Sequence, residues 1–306
     1  MNLNSQIHHT PLHTRVAREE GIDLTSIAPS DRGLTPKPRM GKLGGGSSIA
    51  IIGAGNMGGA IANALLDIGG HTVTVSNRSA GKLERFAAAG ASITTDNCVA
   101  AADAELVIIA VKPWLVEEVL KELVSNVDFS QKTIVSVAAA TKGEQLRQWA
   151  GEGPQILTAI PNTAIVHLAS MTFLVPVRAE EATIQRVKSL FDAMGQTLVT
   201  DEAHLSAGTA LASCGIAYAL RYVRAATEGG VQLGFRASDA QAIVAQTIRG
   251  AASLLEAEGA HAEAEIDKVT TPGGLTIRGL NAMEEAGFTN AVIQGLLKSL
   301  PPTPPL

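Results

Sequence analysis

The chain has 306 residues, 46% of them hydrophobic and 17% charged, with a formal net charge of −5. That balance excludes an unfolded polar chain and a basic nucleic-acid-binding surface, and the length implies two compact units plus a tail rather than one ordinary domain. A small-molecule partner is expected. Cys98 and Cys214 form no C-x-x-C pair, no apolar run reaches transmembrane length and no signal-peptide pattern is present, so the expectation is a cytoplasmic protein without a metal framework, nucleic-acid partner or membrane span.

Residues 1–47 read as an appendage: they carry His8, His9, His13 and several prolines, and show no continuous apolar periodicity. Thr10 is a plausible N-cap, Pro11 suits the first helical position and Gly21 a stop. Over residues 10–33 the segment resembles the peripheral subunit-binding domain of 2-oxo acid dehydrogenase complexes in Ala17, Gly21, Ile22, Asp23 and Leu24. The resemblance implies a weak docking role, but the glycine-rich end of that pattern is reduced to Ser30, Asp31, Arg32 and Gly33, and a flexible extension is the reading carried forward. Gly44 to Ser48 form a Gly/Ser linker.

The organising stretch follows, IAIIGAGNMGGAIANALL over residues 49–66. Ile49 to Ile52 read as a strand buried on both faces, and Gly53, Gly55 and Gly58 have the G-x-G-x-x-G spacing before a helix from about Met57. Gly53 permits the tight turn, Gly55 lets backbone approach a pyrophosphate, and Gly58 lets the helix pack on the strand. Strands are then expected at 72–76, 105–111, 133–139, 155–161, 171–177 and 196–200, with helices at 82–89, 115–124 and 180–194. This alternation predicts an α/β unit, a doubly wound Rossmann-type parallel sheet over residues 48–200. Beyond Asp201 the pattern is helical, at about 202–233, 237–258, 262–269 and 273–299, so residues 201–306 should form an all-α helical domain ending in a disordered PPTPPL. Its apolar stripe is too large for roughly 100 residues to bury alone, which suggests a subunit interface.

Several strand-end loops carry candidate chemistry. After the second strand stand Ser76, Asn77, Arg78 and Ser79 rather than the carboxylate that commonly binds the ribose hydroxyls of NAD. Arg78 suits a 2′-phosphate, which a carboxylate would repel; the plainer reading is a solvated loop arginine. Lys112 and Pro113 follow a strand at its carboxyl end, where the lysine either faces a cofactor or caps the sheet edge. Asn162 and Thr163 offer groups to orient a nicotinamide, or form a routine turn. Thr271, Pro272, Gly273, Gly274 and Thr276 join two helices; the glycine amides suit a carboxylate, though a connector has the same pattern.

Taken together, GAGNMGGAI (residues 53–61), AVKP (110–113), SVAAA (136–140), PNTA (161–164), TPGGLTI (271–277) and EEAGF (284–288) resemble the pyrroline-5-carboxylate reductase family over residues 48–300. That resemblance implies reduction of a cyclic imine to proline with NADPH, NADH being the alternative. It implies that Gly53, Gly55, Asn56, Met57, Gly58, Asn77 and Arg78 hold the cofactor, and that Ala110, Val111, Lys112, Pro113, Ala138 and Asn162 border it. The substrate is assigned to Thr271, Gly273, Gly274 and Thr276, with the Thr276 hydroxyl at the ring nitrogen as the catalytic candidate. C-terminal helices are expected to build a homodimer or larger homo-oligomer, with each pocket completed by two chains. The sequence departs from the family pattern at Thr158, where an Arg is usual, at Ala164 in place of Pro, at Ser213 and Ile216 within ASCGIAY, and at Thr271 and Leu275. Other readings kept open are reduction of another imino acid or of a β-hydroxy acid, and a non-catalytic NADP-sensing protein.

Overall fold

The computed structural model describes residues 46–300, which belong to one compact unit. The appendage with its expected docking segment, and the Pro-rich end, lie outside the described residues. Strand β1, Ser48–Ile52, runs through the Gly53 turn into α1, Asn56–Ile68, and β2, Thr72–Ser76, follows. Next come α2 (Glu84–Ala88), β3 (Ser92–Thr94), α3 (Asn97–Ala102) and β4 (Leu106–Ile109). The sheet continues with α4 (Val116–Asn126), β5 (Thr133–Ser136), α5 (Gly143–Ala150) and β6 (Gln155–Ile160). It finishes with β7 (Ser170–Arg178), α6 (Glu181–Asp192) and β8 (Gly195–Val199).

The strand order is β3-β2-β1-β4-β5-β6-β7-β8. Period-two alternation splits the core between the two faces. Ile49 and Ile51 join one buried cluster with Leu65, Phe86 and Phe191, while Ala50 and Ile52 join the other with Leu120, Leu123 and Leu146. One feature departs from the expected all-parallel sheet: β7 runs antiparallel to β6, and β8 is parallel to β7. The connection between β6 and β7 is a short 3₁₀ segment, Thr163–His167, with no crossover helix, and so brief a link permits only reversal. Strands β4 and β5 also end earlier than the apolar runs suggest, because Ala110 to Pro113 and Val137 to Ala140 leave the ladder as loops at the carboxyl edge. Elements β3 and α3 lack a clear apolar period, and α5 is short. The first has three residues, the second is held by an Asp96 cap onto the Cys98 and Val99 amides, and the third buries only Gly143, Leu146 and Ala150.

After Val199 no strand occurs among the described residues. Helix α7 (Glu202–Thr209), a π turn (Ala210–Cys214) and α8 (Gly215–Gln232) form one continuous helix. Then follow α9 (Ala237–Leu254), α10 (Ala262–Lys268), α11 (Leu275–Glu285) and α12 (Phe288–Lys298). The Glu202–Gln232 helix has 31 residues and a mean hydropathy of 1.2 over its most apolar stretch, so by length and composition alone it is able to cross a membrane. Glu202, His204, Arg221 and Arg224 interrupt it, so it holds no unbroken apolar run of that length. From α8 onward the only buried residue among those described is Ala240, whose Cβ approaches Gly230 of α8 so closely that a Cβ there would lie 2.8 Å away. Helix α12 packs on α8 through the Tyr218 hydroxyl, which donates to Gly295 O at 3.1 Å, and through an edge-to-face contact of Tyr222 with Phe288.

Candidate active site

A cleft of about 840 Å³ opens outside the carboxyl ends of β1, β2, β4 and β5. The strand order reverses between β1 and β4, and this switch point is where open α/β sheets bind ligands. Its floor is the glycine turn. Gly53 adopts φ +105°, donates its N–H to Ser76 O at 2.8 Å, and lies so near β4 that a Cβ would sit 2.9 Å from Ala110 O. Gly55 caps α1 without a side-chain partner and has open space where its Cβ would be. The first amides of α1 therefore face the cleft unobstructed, with the positive end of the helix behind them.

Of the residues expected at a cofactor, Gly53, Gly55, Asn56, Met57, Asn77, Arg78, Ala110, Val111, Lys112, Pro113 and Ala138 all line this cleft. Gly58 does not; it lies beneath, where its missing side chain lets α1 rest on Gly53 O. Asn77 uses its side chain on the turn itself, Oδ1 accepting from Ala54 N at 3.3 Å and Nδ2 donating to Ser79 O at 3.2 Å. Asn162 does not line the cleft either. Its Oδ1 accepts from Ala164 N at 3.0 Å and its Nδ2 donates to Ala212 O at 3.2 Å, so the amide is engaged in holding the fold.

The cleft also contains groups that sequence reasoning missed. Lys82 stands with Arg78 at the end of β2, and neither makes an ion pair among the described residues. Asp96, Asn97, Glu118 and Glu122 form the far wall. There the buried Ser76 hydroxyl donates to Asn97 Oδ1 at 2.7 Å, and Asn97 Nδ2 donates to Glu122 Oε2 at 3.1 Å. The available signal was the i, i+4 spacing of Glu118 and Glu122, which looks the same as a solvated helix face. Beside this wall, burial first and then the Glu122 and Asp96 carboxylates push the Cys98 thiol up from its ordinary value. A thiol so held stays protonated and is a poor nucleophile.

The helical loop is built as a turn, with Gly274 N donating to Thr271 O at 2.9 Å and Gly273 at φ +68°. Gly274 caps α11, so the amides of Leu275 and Thr276 belong to an open helix start, and the Thr276 side chain is exposed. Thr271, Gly273, Gly274 and Thr276 are thus gathered in one place, but none lines the cleft formed by the same chain.

The cleft fits a phosphorylated nicotinamide dinucleotide: it offers the first amides of α1 and a glycine with space in front of it, and after β2 come Arg78 and Lys82, neither in an ion pair among the described residues, with no carboxylate at that strand end. Comparison with known proteins follows the same division of the chain. Residues 48–140 match the family model "NADP oxidoreductase coenzyme F420-dependent", and residues 202–300 match "Pyrroline-5-carboxylate reductase dimerisation". The chain is 36% identical over 268 residues to pyrroline-5-carboxylate reductase 1 of Dictyostelium discoideum, covering 83% of this chain and 48% of that protein. It is 33% identical over 271 residues to pyrroline-5-carboxylate reductase 2 of the same organism, covering 82% of this chain and 90% of the relative. The chain thus spans about half the length of one relative and nearly all of the other. Among solved structures, a pyrroline-5-carboxylate reductase from Coxiella burnetii is similar with a TM-score of 0.77 at 28% identity, over 83% of this chain and 96% of that one.

Proposed function

The chain belongs to the pyrroline-5-carboxylate reductase family, and from that premise we propose that it reduces 1-pyrroline-5-carboxylate to proline with NADPH as the reductant. The observation that carries this reading is the 840 Å³ cleft at the sheet's switch point, with open α1 amides at one end and the Arg78–Lys82 pair at the other. When bound, NADPH supplies the hydride that adds to the imine carbon. The amides of Asn56 and Met57 receive the pyrophosphate, and Arg78 with Lys82 receives the 2′-phosphate. Ala110 to Pro113 and Ala138 shape the nicotinamide end.

The carboxylate of the imine is held by the amides around Gly273 and Gly274, and the Thr276 hydroxyl holds the proton at the ring nitrogen. Because that loop stands away from the cleft of its own chain, the helical region of a second copy completes each site. The nucleotide-binding part spans 48–200 and the helical part 201–306, and the enzyme acts in the cytoplasm as a homo-oligomer. Absorbance at the NADPH band with 1-pyrroline-5-carboxylate tests the activity directly; no oxidation of NADPH by the assembled enzyme overturns it. Thr276→Ala should lower kcat/KM by a factor in the tens to thousands, as for loss of one positioned donor. An unchanged value removes Thr276 from the mechanism.

A further inference from the structure

The helical region meets the sheet at a seam in which Asn162 stands. The chain leaves β8 and enters the long helix through Glu202, whose carboxylate accepts the Gly143 N–H at 3.3 Å. One and a half turns on, Gly208 is buried against the Phe173 ring of β7, so tightly that a Cβ would lie 2.7 Å from the ring carbons. The helix then widens into the π turn Ala210–Cys214. Such a turn disturbs the regular i→i−4 ladder and alters which partners its carbonyls meet. Ala212 O takes a hydrogen bond from outside the helix, from Asn162 Nδ2 at 3.2 Å.

Asn162 is well placed to act as a rigid peg. It is only 6% exposed, its backbone N–H donates to Ser170 Oγ at 3.1 Å, and Ser170 Oγ lies 3.2 Å from Thr172 Oγ1 inside β7. Its Oδ1 must accept from Ala164 N while its Nδ2 must donate to Ala212 O, so only one orientation of the amide satisfies both neighbours. A buried amide with each group committed is costly to disturb.

We infer that Asn162 is a positioning residue: by fastening the π turn to the end of β6 it sets how the helical region, and with it the Thr271–Thr276 loop, is presented for catalysis. The inference rests on the reading of the glycine cleft as the cofactor site and of that loop as the substrate site. It gives the PNT loop a role at the joint between the two parts rather than on the nicotinamide.

Two variants separate these possibilities. Asn162→Asp keeps the Oδ1 acceptor for Ala164 but turns an oxygen toward the Ala212 carbonyl. Gly208→Ala opens the same seam from the helix side without touching the strand-end loop. Amide hydrogen exchange over residues 205–215, NADPH affinity by fluorescence quenching, and kcat and KM for 1-pyrroline-5-carboxylate are measured on the full-length oligomer. The expected result for both is faster exchange in the π turn, NADPH affinity within about twofold of the parent, and kcat/KM for the imine reduced about tenfold or more, the size of effect that a small misplacement of reacting groups produces. Unchanged exchange overturns the inference, as does faster exchange with unchanged kcat/KM. A loss of NADPH affinity in Asn162→Asp that equals its loss of kcat/KM also overturns it, because Asn162 would then contact the cofactor. Should Asn162→Asp not fold, Gly208→Ala decides on the same criteria. If the parent fails to reduce the imine, the proposed activity falls, while exchange in the π turn still reports whether Asn162 holds the joint.

Discussion

At the scale of single residues, the cleft depends on side chains that are missing as much as on those present. A Cβ on Gly58 would sit 2.0 Å from Gly53 O and 2.7 Å from Ala110 Cβ, so Gly58→Ala must push α1 off the sheet. We expect it to cost about 3 kcal/mol in chemical denaturation, at the upper end for overpacking, and to abolish NADPH binding by fluorescence. Arg78→Ala should weaken NADPH by roughly tenfold to a hundredfold while leaving NADH nearly unaffected, since only the former presents the extra phosphate to a charge-assisted bond. Steady-state KM values for the two cofactors check this. At the opposite edge, both ring nitrogens of His71 are buried without a hydrogen-bond partner among the described residues, and burial holds its pKa below 6.5. A lowered folded pKa favours the neutral ring, so this contribution to stability is present above 6.5 and is lost as pH falls through the depressed value. The parent should therefore lose more Tm than His71→Leu on going from about pH 7 to about pH 5.5. Gly53 and Gly58 were legible in the sequence because only glycine meets what the turn asks of them, a φ of +105° at the first and a Cβ-free approach to Gly53 O at the second. Lys82, Glu118 and Glu122 were not, since a charged residue facing a cleft has the same local pattern as one facing water.

At the scale of elements, what could be read depended on how deeply each one is buried. β1, β4 and β5 are covered on both faces and appear as unbroken apolar runs. β3 is half exposed, and α3 depends on its cap more than on a hydrophobic face. The Asp96 carboxylate accepts from Cys98 N at 2.8 Å and Val99 N at 3.1 Å. Asp96→Ala should cost about 1 kcal/mol in denaturant titration. It should also loosen the Ser76–Asn97–Glu122 chain that lines the cleft, which would show as a weaker NADPH affinity. The reversal at β7 illustrates the complementary limit. Strand propensity gives no direction; the direction follows from the brief Thr163–His167 link, whose brevity becomes visible only once the strand ends are known. Asn162 belongs here too, because its partner Ala212 lies 50 residues away and no local pattern announces the pairing.

At the scale of the whole molecule, the helical region leaves large apolar side chains in the open. Leu220 is 61% exposed, Leu233 82% and Leu275 85%. A groove of about 560 Å³ between α8 and α9 is lined by Leu220, Val223, Thr227 and Val231. Apolar surface of this extent marks an interface, and it coincides with the segment matched by the dimerisation family model. Leu220→Asp should disperse the oligomer in analytical ultracentrifugation and lower activity with it, while the sheet retains its near-native circular dichroism. The Tm of the parent should rise with protein concentration, as it does whenever assembly supports the fold. The apolar stripe was foreseeable from composition and helical spacing; the identity of the surfaces that meet was not, because it depends on two chains.

The nearly unburied helices also set an order of events in time. The sheet is stitched from contacts between neighbouring βαβ units, so it can close as each unit becomes available, whereas α8 to α12 bury only Ala240 among the described residues and fall in the segment matched by the dimerisation family model. Refolding from denaturant should therefore proceed in a fast unimolecular phase, seen by the fluorescence of Trp149 in α5, which packs against the core on one face of the sheet, followed by a second-order phase that slows on dilution and restores activity. In the interval between the two, the molecule presents its apolar helices to solvent, and it is in that interval that chaperone capture or aggregation should compete with assembly.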